Sequence, residues 1–369
     1  MTLASVSMKD LLSSSQTKQS LTEFLADGLL ANFSGSLKAV HGTQARGKNC
    51  DVSPSVSTDS HDEADTLIPL HVIDSLSSCT MKEIDVFCAD TDVLVLLMDL
   101  VANGYHGPMT KLNFVKTGKK GSSGKDVIDV IERVQSIGVQ KARGMIGLHN
   151  FSGADWGGKY VGITKETWIK SYLALDDDSE AVRSLHQLGT LDLTTDGLEN
   201  DKLPSSVPPL EVFLCQVYAP KNCDLRSISE LRWELFRSKN LEGEKLPPTV
   251  ATFFPHIMRS NFTSRRDKSY VRAHPNLPAL ELSGWELSDD GECYTPVRCL
   301  IGPAPKEVTE LVKCSCKSKC EGSCSCVKNG LSCTPLCKCY SSGRDHFSSK
   351  PLEESVEDGG DEDDSDKFF

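Results

Sequence analysis

An α/β fold with a mostly parallel sheet, followed by a small cysteine-rich module, is the class this sequence predicts. Strand-length apolar runs such as IDVFC and KLNFV alternate with helical patterns such as VLVLLMDLVA, the order that places a parallel sheet among helices. Eight of the fifteen cysteines crowd between Cys314 and Cys339. At 369 residues the chain also exceeds what one hydrophobic core usually organises, so a large and a small domain are expected.

Taken in order, LTEFLADGLLANF reads as a helix and LKAVH as a short strand. The stretch GKNCDVSPSVSTDSH that follows is rich in Ser, Pro and Asp and reads as a loop. A helix opens near Asp62 with Ala64, Leu67, Ile68 and His71 at helical spacing, and Pro69 predicts a kink or a later start. Residues 84–88 read as a buried strand, 89–92 as the loop at its carboxyl end, and 93–102 as a helix closed by Gly104. KLNFVKTG is a second strand. DVIDVIERVQSIG, residues 126–138, gives an amphipathic helix with Val127, Ile128, Val130, Ile131 and Val134 on one face and Gly138 at its end. Further helices fall at ETWIKSYLAL, AVRSLHQLG and SISELRWELFRSK. The basic stretch FTSRRDKSYVR reads as a solvated loop, or as one whose Tyr270 touches a nucleic-acid backbone.

Charge is unevenly spread along a chain of net −12. Residues 313–344 hold six Lys/Arg and one Glu, whereas 345–369 hold ten Asp/Glu and two Lys, with almost no apolar residues, and read as a disordered tail. A basic module between an acidic body and an acidic tail keeps nucleic acid among the expected partners, because the local field matters more than the total. The longest apolar run, VLVLLM, falls far short of a membrane span, and MTLASVSMKDLLSSSQTK lacks the form of a signal peptide. An intracellular, nuclear location away from membranes is the expectation.

Five carboxylates are candidate ligands: Glu63 and Asp65 in HDEADT, Asp90 and Asp92 in ADTD, and Asp155 in FSGADW. Asp90 and Asp92 follow a strand directly, where open α/β sheets bind their ligands. Like charges crowded at one edge call for a cation, and Mg²⁺ or Mn²⁺ suits such oxygen donors; a pair of such ions can drive phosphodiester hydrolysis. The other reading is local: Asp90 caps the next helix, Asp92 complements its dipole, and Glu63 and Asp65 do the same for theirs.

The series HDEADT, ADTDVLVLL and LHNFSGAD resembles the motifs of the PIN-like, flap-endonuclease/XPG-type nuclease domain, in particular its divergent, transposon-associated versions. The likeness spans residues 15 to 340. It implies a PIN-like (Rossmann-like) sheet with flanking helices over 15–260, including a helical extension; the stretch that follows, 261–312, is read as an irregular connector because 270–310 hold many Pro, Gly and Trp with no clear period. It implies Glu63, Asp65, Asp90, Asp92 and Asp155 as divalent-metal ligands of an endonuclease. Two departures stand out: no strand ending in Asp precedes Glu63, so the family domain is expected to be incomplete at its start, and Ala154 replaces the usual Cys of the third motif.

The cysteines run C-x-C-x3-C-x3-C-x-C-x6-C-x3-C-x-C from Cys314 through Cys316, Cys320, Cys324, Cys326, Cys333 and Cys337 to Cys339. A disulfide inside a C-x-C triplet is strained, whereas its thiolates can share a metal or neighbouring metals. With too few apolar residues for a core, Zn²⁺ is expected to supply the folding energy. The run resembles the tesmin-type CXC domain, here 313–344, which docks on DNA in several families. That resemblance implies two zincs with four thiolates each, or a three-zinc cluster completed by His346 or a distant cysteine, because Ser342 stands where a ninth cysteine is usual. Ser323 replaces the aromatic residue usual before the fourth cysteine. Lys317, Lys319 and Lys328 are the candidate phosphate contacts, with a solvated surface as their other reading.

Overall fold

The computed structural model describes residues 7, 12–41, 44–52, 64–78, 81–116, 126–154, 157–193, 207–221, 224–239, 243–272, 276–288, 290–300, 314–316, 320, 324–328 and 337. Glu63, Asp155, Lys317, Lys319, Cys333, Cys339 and the tail from 345 lie outside the described residues. The chain divides into two units, Met1–Val297 and Arg298–Asp363.

In the first unit, helix α1 (Ser15–Asn32) precedes an antiparallel hairpin of β1 (Leu37–His41) and β2 (Gln44–Lys48). Helix α2 (Ala64–Ser78) is helical on both sides of Pro69, so it does not start late there; Pro69 withholds one hydrogen bond from the Asp65 carbonyl. Strand β3 (Glu83–Cys88) alternates, with Val86 buried and Phe87 exposed, so it is half-buried instead of wholly enclosed. Helix α3 (Thr91–Ala102) is buried at every position from Val93 to Ala102, as expected of a helix that is apolar all round.

Strand β4 (Lys111–Lys116) pairs with β3 in parallel, from Glu83 opposite Lys111 to Cys88 opposite Lys116. Residues 126–138 divide where one helix was predicted: Asp126–Asp129 form strand β5, and α4 spans Val130–Ile137. Asp129 is the reason, since its Oδ1 accepts from the N–H groups of Ile131 (3.0 Å) and Glu132 (3.2 Å) and starts a new helix there. Strand β5 is antiparallel to β4, so the sheet β3-β4-β5 is small and mixed where a mostly parallel one was expected. The nine residues 117–125 between them are too few for a parallel crossover, which needs about a dozen or more.

Gly138, at φ 88°, ends α4 and leads into α5 (Val139–Ser152). Helix α5 packs against α3 and α7 (Glu180–Gln187), and Gly147 faces the Leu185 carbonyl so closely that no side chain fits. Helices α6 (Lys165–Leu173), α8 (Pro208–Tyr218), α9 (Ile228–Lys239) and α10 (Val250–Asp267) complete the body. Phe151 of α5 sits among Tyr160, Trp168, Phe213 and Phe253 in one aromatic core.

Helix α10 corrects two expectations. Residues 262–267 are helical, not loop, and Tyr270 is buried with its hydroxyl donating to Asp99 Oδ2 (3.1 Å), away from any nucleic acid. The stretch expected to be a connector from 261 begins inside this helix. It then forms the hairpin of β6 (Trp285–Leu287) and β7 (Tyr294–Pro296), held by Arg259 donating to the carbonyls of Gly284 and Val297. Among the described residues no helix is long and apolar enough to cross a membrane.

Candidate functional site

Asp90 and Asp92 owe their places to the end of β3. Asp90 is the N-cap of α3, its Oδ1 accepting from the Asp92 N–H at 3.0 Å, and Asp92 occupies the first helical turn. Asp65 stands in the first turn of α2. All three line one cleft of about 110 Å³, floored by Val95, Leu96 and Ile146. Its remaining polar lining is Thr66 from α2, His149 and Asn150 from α5, and Arg266 and Asp267 from α10. Ala154 also lines it, at the approach to Asp155.

The acids are not alone there. His149 Nε2 lies 3.2 Å from Asp92 Oδ1. Burial pushes the Asp92 carboxyl up, but the His149 hydrogen bond and the charges of His149, Lys165 and Arg266 outweigh it and hold the group below the usual carboxylate range. Burial raises the pKa of the Cys88 thiol, and the charges of Asp65 and Asp90 add to the rise. The oxygen donors suit a hard cation. Yet among the described residues only cysteines bring three or more ligand atoms within 4.8 Å of one another. The capping role of Asp90 and the first-turn place of Asp92 match the local reading of these residues, His149 is a further partner of Asp92, and a cation would have to draw the carboxylates together.

The wall around Ala154 is pinned from three directions. Lys165 Nζ donates to the carbonyls of His149 and Gly153, both at 2.7 Å. The ring of His256 lies between the carbonyls of Phe151 (2.7 Å from Nε2) and Gly157 (3.0 Å from Nδ1); burial lowers its pKa to about 4, so the neutral ring donates to one of the two. Ser260 Oγ donates to the Asn150 carbonyl at 3.2 Å. Gly153, at φ 113°, makes the turn that leaves α5.

In the second unit, the sulfurs of Cys314, Cys316, Cys320 and Cys324 lie within 4.8 Å of one another, and so do those of Cys314, Cys326 and Cys337. Four sulfurs around a tetrahedral zinc at ~2.3 Å stand about 3.8 Å apart. The Cys314–Cys320 and Cys326–Cys337 separations are 3.9 and 3.6 Å. Six of the eight predicted cysteines thus gather as a cluster that can hold a metal ion such as zinc, with Cys314 common to both groups. Burial works against the Cys324 thiolate, but the N–H groups of Val327 and Cys326 and the thiols of Cys316 and Cys314 outweigh it and lower its pKa to about 7. Lys328 closes the helical turn α11 (Ser325–Lys328).

Sequence reasoning missed His149, Arg266 and Asp267. His149 sits inside the quoted LHNFSGAD segment, which was a signal at hand. Arg266 and Asp267 lie more than a hundred residues from the acid motifs, inside the basic stretch FTSRRDKSYVR, whose charge was noted but which nothing tied to the acids. No family model, curated protein or solved structure matches this chain.

Proposed function

We propose that this is a nuclease-like, nucleic-acid-binding protein, with a carboxylate cleft for a divalent cation and a zinc-bound cysteine module that docks on DNA. The observation that carries the reading is the cleft: carboxylates from two separate motifs, Asp65 from one and Asp90 and Asp92 from the other, share one small cavity at the carboxyl end of a strand. In the PIN-like, flap-endonuclease-type reading, Glu63 and Asp155 complete the ligand set. Mg²⁺ or Mn²⁺ bound there would polarise a phosphodiester and activate water. The chain's own residues orient two of the ligands: the α3 N-terminus fixes Asp90, and His149 holds Asp92.

The cysteine module supports the second half of the reading. Thiolate donors and sulfur spacings near those of a tetrahedral site favour Zn²⁺, and the excess of lysine over 313–344 favours phosphate contacts by Lys317, Lys319 and Lys328.

A specific observation favours a second reading, a non-catalytic DNA-binding or scaffolding protein of mobile-element origin. Asp90 and Asp92 already have partners, and the described carboxylates do not converge as three. Purified full chain with Mg²⁺ or Mn²⁺ and single-stranded or flap DNA separates the two. Cleavage abolished by Asp92→Ala supports the nuclease; binding without cleavage supports the scaffold.

A further inference from the structure

Among the described residues, Arg266 is the one arginine lining the acidic cleft. It is only 20% exposed, and its Nε (3.1 Å) and Nη2 (3.0 Å) both bond Asp267 Oδ1. Asp267 is fixed in turn, its Oδ2 accepting from Asn150 Nδ2 at 2.7 Å, and Asn150 Nδ2 also donates to the Ile146 carbonyl at 3.2 Å. The chain of contacts from α5 to the last turn of α10 thus holds one guanidinium plane in place. Its charge reaches far enough into the cleft to act on Asp92.

We infer that Arg266 is the phosphate contact of this cleft, with Asp267 and Asn150 as its positioning residues. The inference rests on the cation reading above, because Asp65, Asp90, Asp92 and Asp267 would repel an anion until a divalent ion balances them. A planar, preoriented guanidinium matches the oxygens of a phosphate better than a flexible ammonium does. Donor chemistry sets the substrate class: a guanidinium beside a bound cation matches phosphate oxygens, and a nucleic-acid backbone presents one such group at every step. The cleft therefore grips a nucleic-acid strand by one backbone phosphate, without reading its sequence.

A helix-end role, in which Arg266 merely complements the C-terminal dipole of α10, makes a different prediction. Line broadening of ³¹P resonances by protein-bound Mn²⁺ decides between them, using full chain with its zinc in place, inorganic phosphate as one probe and thymidine dinucleotide as the other. The wild type broadens both. Arg266→Gln weakens both phosphate probes by about tenfold or more while Mn²⁺ affinity by electron paramagnetic resonance stays within about twofold. Broadening of inorganic phosphate alone would overturn the backbone-phosphate assignment. Unchanged phosphate affinity in a folded Arg266→Gln protein would overturn the contact and leave the cation site standing; failure of the wild type to bind Mn²⁺ would overturn both. Should Arg266→Gln not fold, Arg266→Lys carries the test: severalfold weaker phosphate binding supports the oriented fork, and wild-type binding overturns it.

Discussion

Cys314 is the residue on which the cysteine module turns, because its sulfur belongs to both ligand groups while Cys316 belongs to one and Cys337 to the other. Replacing it with serine removes one thiolate from each group. Structural zinc sites bind with about 10–16 kcal/mol, so one ligand of four is worth about 3 kcal/mol, or roughly a hundredfold in Kd. Cys314→Ser should therefore release the metal of both groups to a competing chromophoric chelator at a concentration where Cys316→Ser releases that of one. Zinc per chain, counted by elemental analysis after the competition, gives the answer. Equal losses from Cys314→Ser and Cys316→Ser would refute the shared-ligand geometry, and fewer than two zincs in fresh reduced wild type would refute the zinc claim itself.

Asp90 offers a separation of roles: Asp90→Ala should cost about 1 kcal/mol of stability by losing the α3 cap, and Asp90→Ser should restore the stability but not Mn²⁺ affinity. Mn²⁺ binding unimpaired in the serine variant would leave Asp90 as a cap alone. Gly147→Ala should destabilise the body by about 1–3 kcal/mol, read as a lowered Tm, because its methyl would press on the Leu185 backbone. Lys268 is held by the carbonyls of His186 and Leu188, and burial lowers its pKa to about 8. The unfolded chain then binds a proton that the folded chain lacks between about pH 8 and 10.4, so stability should rise with pH across that window by up to about 3 kcal/mol. Denaturation followed by tryptophan fluorescence should show this rise, and Lys268→Met should flatten it. Changing Lys317, Lys319 and Lys328 together to Ala should weaken DNA binding alike for all sequences and flatten its log–log salt slope by up to about 0.9 per lost contact. Unchanged affinity would remove the module from the DNA interface.

What could be read from the sequence follows from where burial is apolar. DTDVLVLLMDLVA was legible because α3 is wrapped by core on every side, and the acids at its start were legible because they follow a strand. The break at Asp129 was hidden because Val127 and Ile128 continue the apolar spacing of α4, although Val127 is exposed in the strand. Helix α10 escaped for the opposite reason. Its buried residues include Thr263 and Ser264 as well as His256, Arg259, Ser260 and Asn261, the last four bonding backbone groups of neighbouring segments, and together they leave little apolar period to detect. That same polar helix carries Arg266 and Asp267 to the cleft, so their basic stretch was visible in the sequence but its place beside the acids was not.

The most direct measurement is an anomalous-scattering map from crystals of the full chain grown with Mn²⁺. The account predicts a manganese peak in the cleft bounded by Asp65, Asp90, Asp92 and Arg266, at coordination distance from carboxylate oxygens. A map from well-ordered crystals at saturating Mn²⁺ with no peak in that cleft would contradict it.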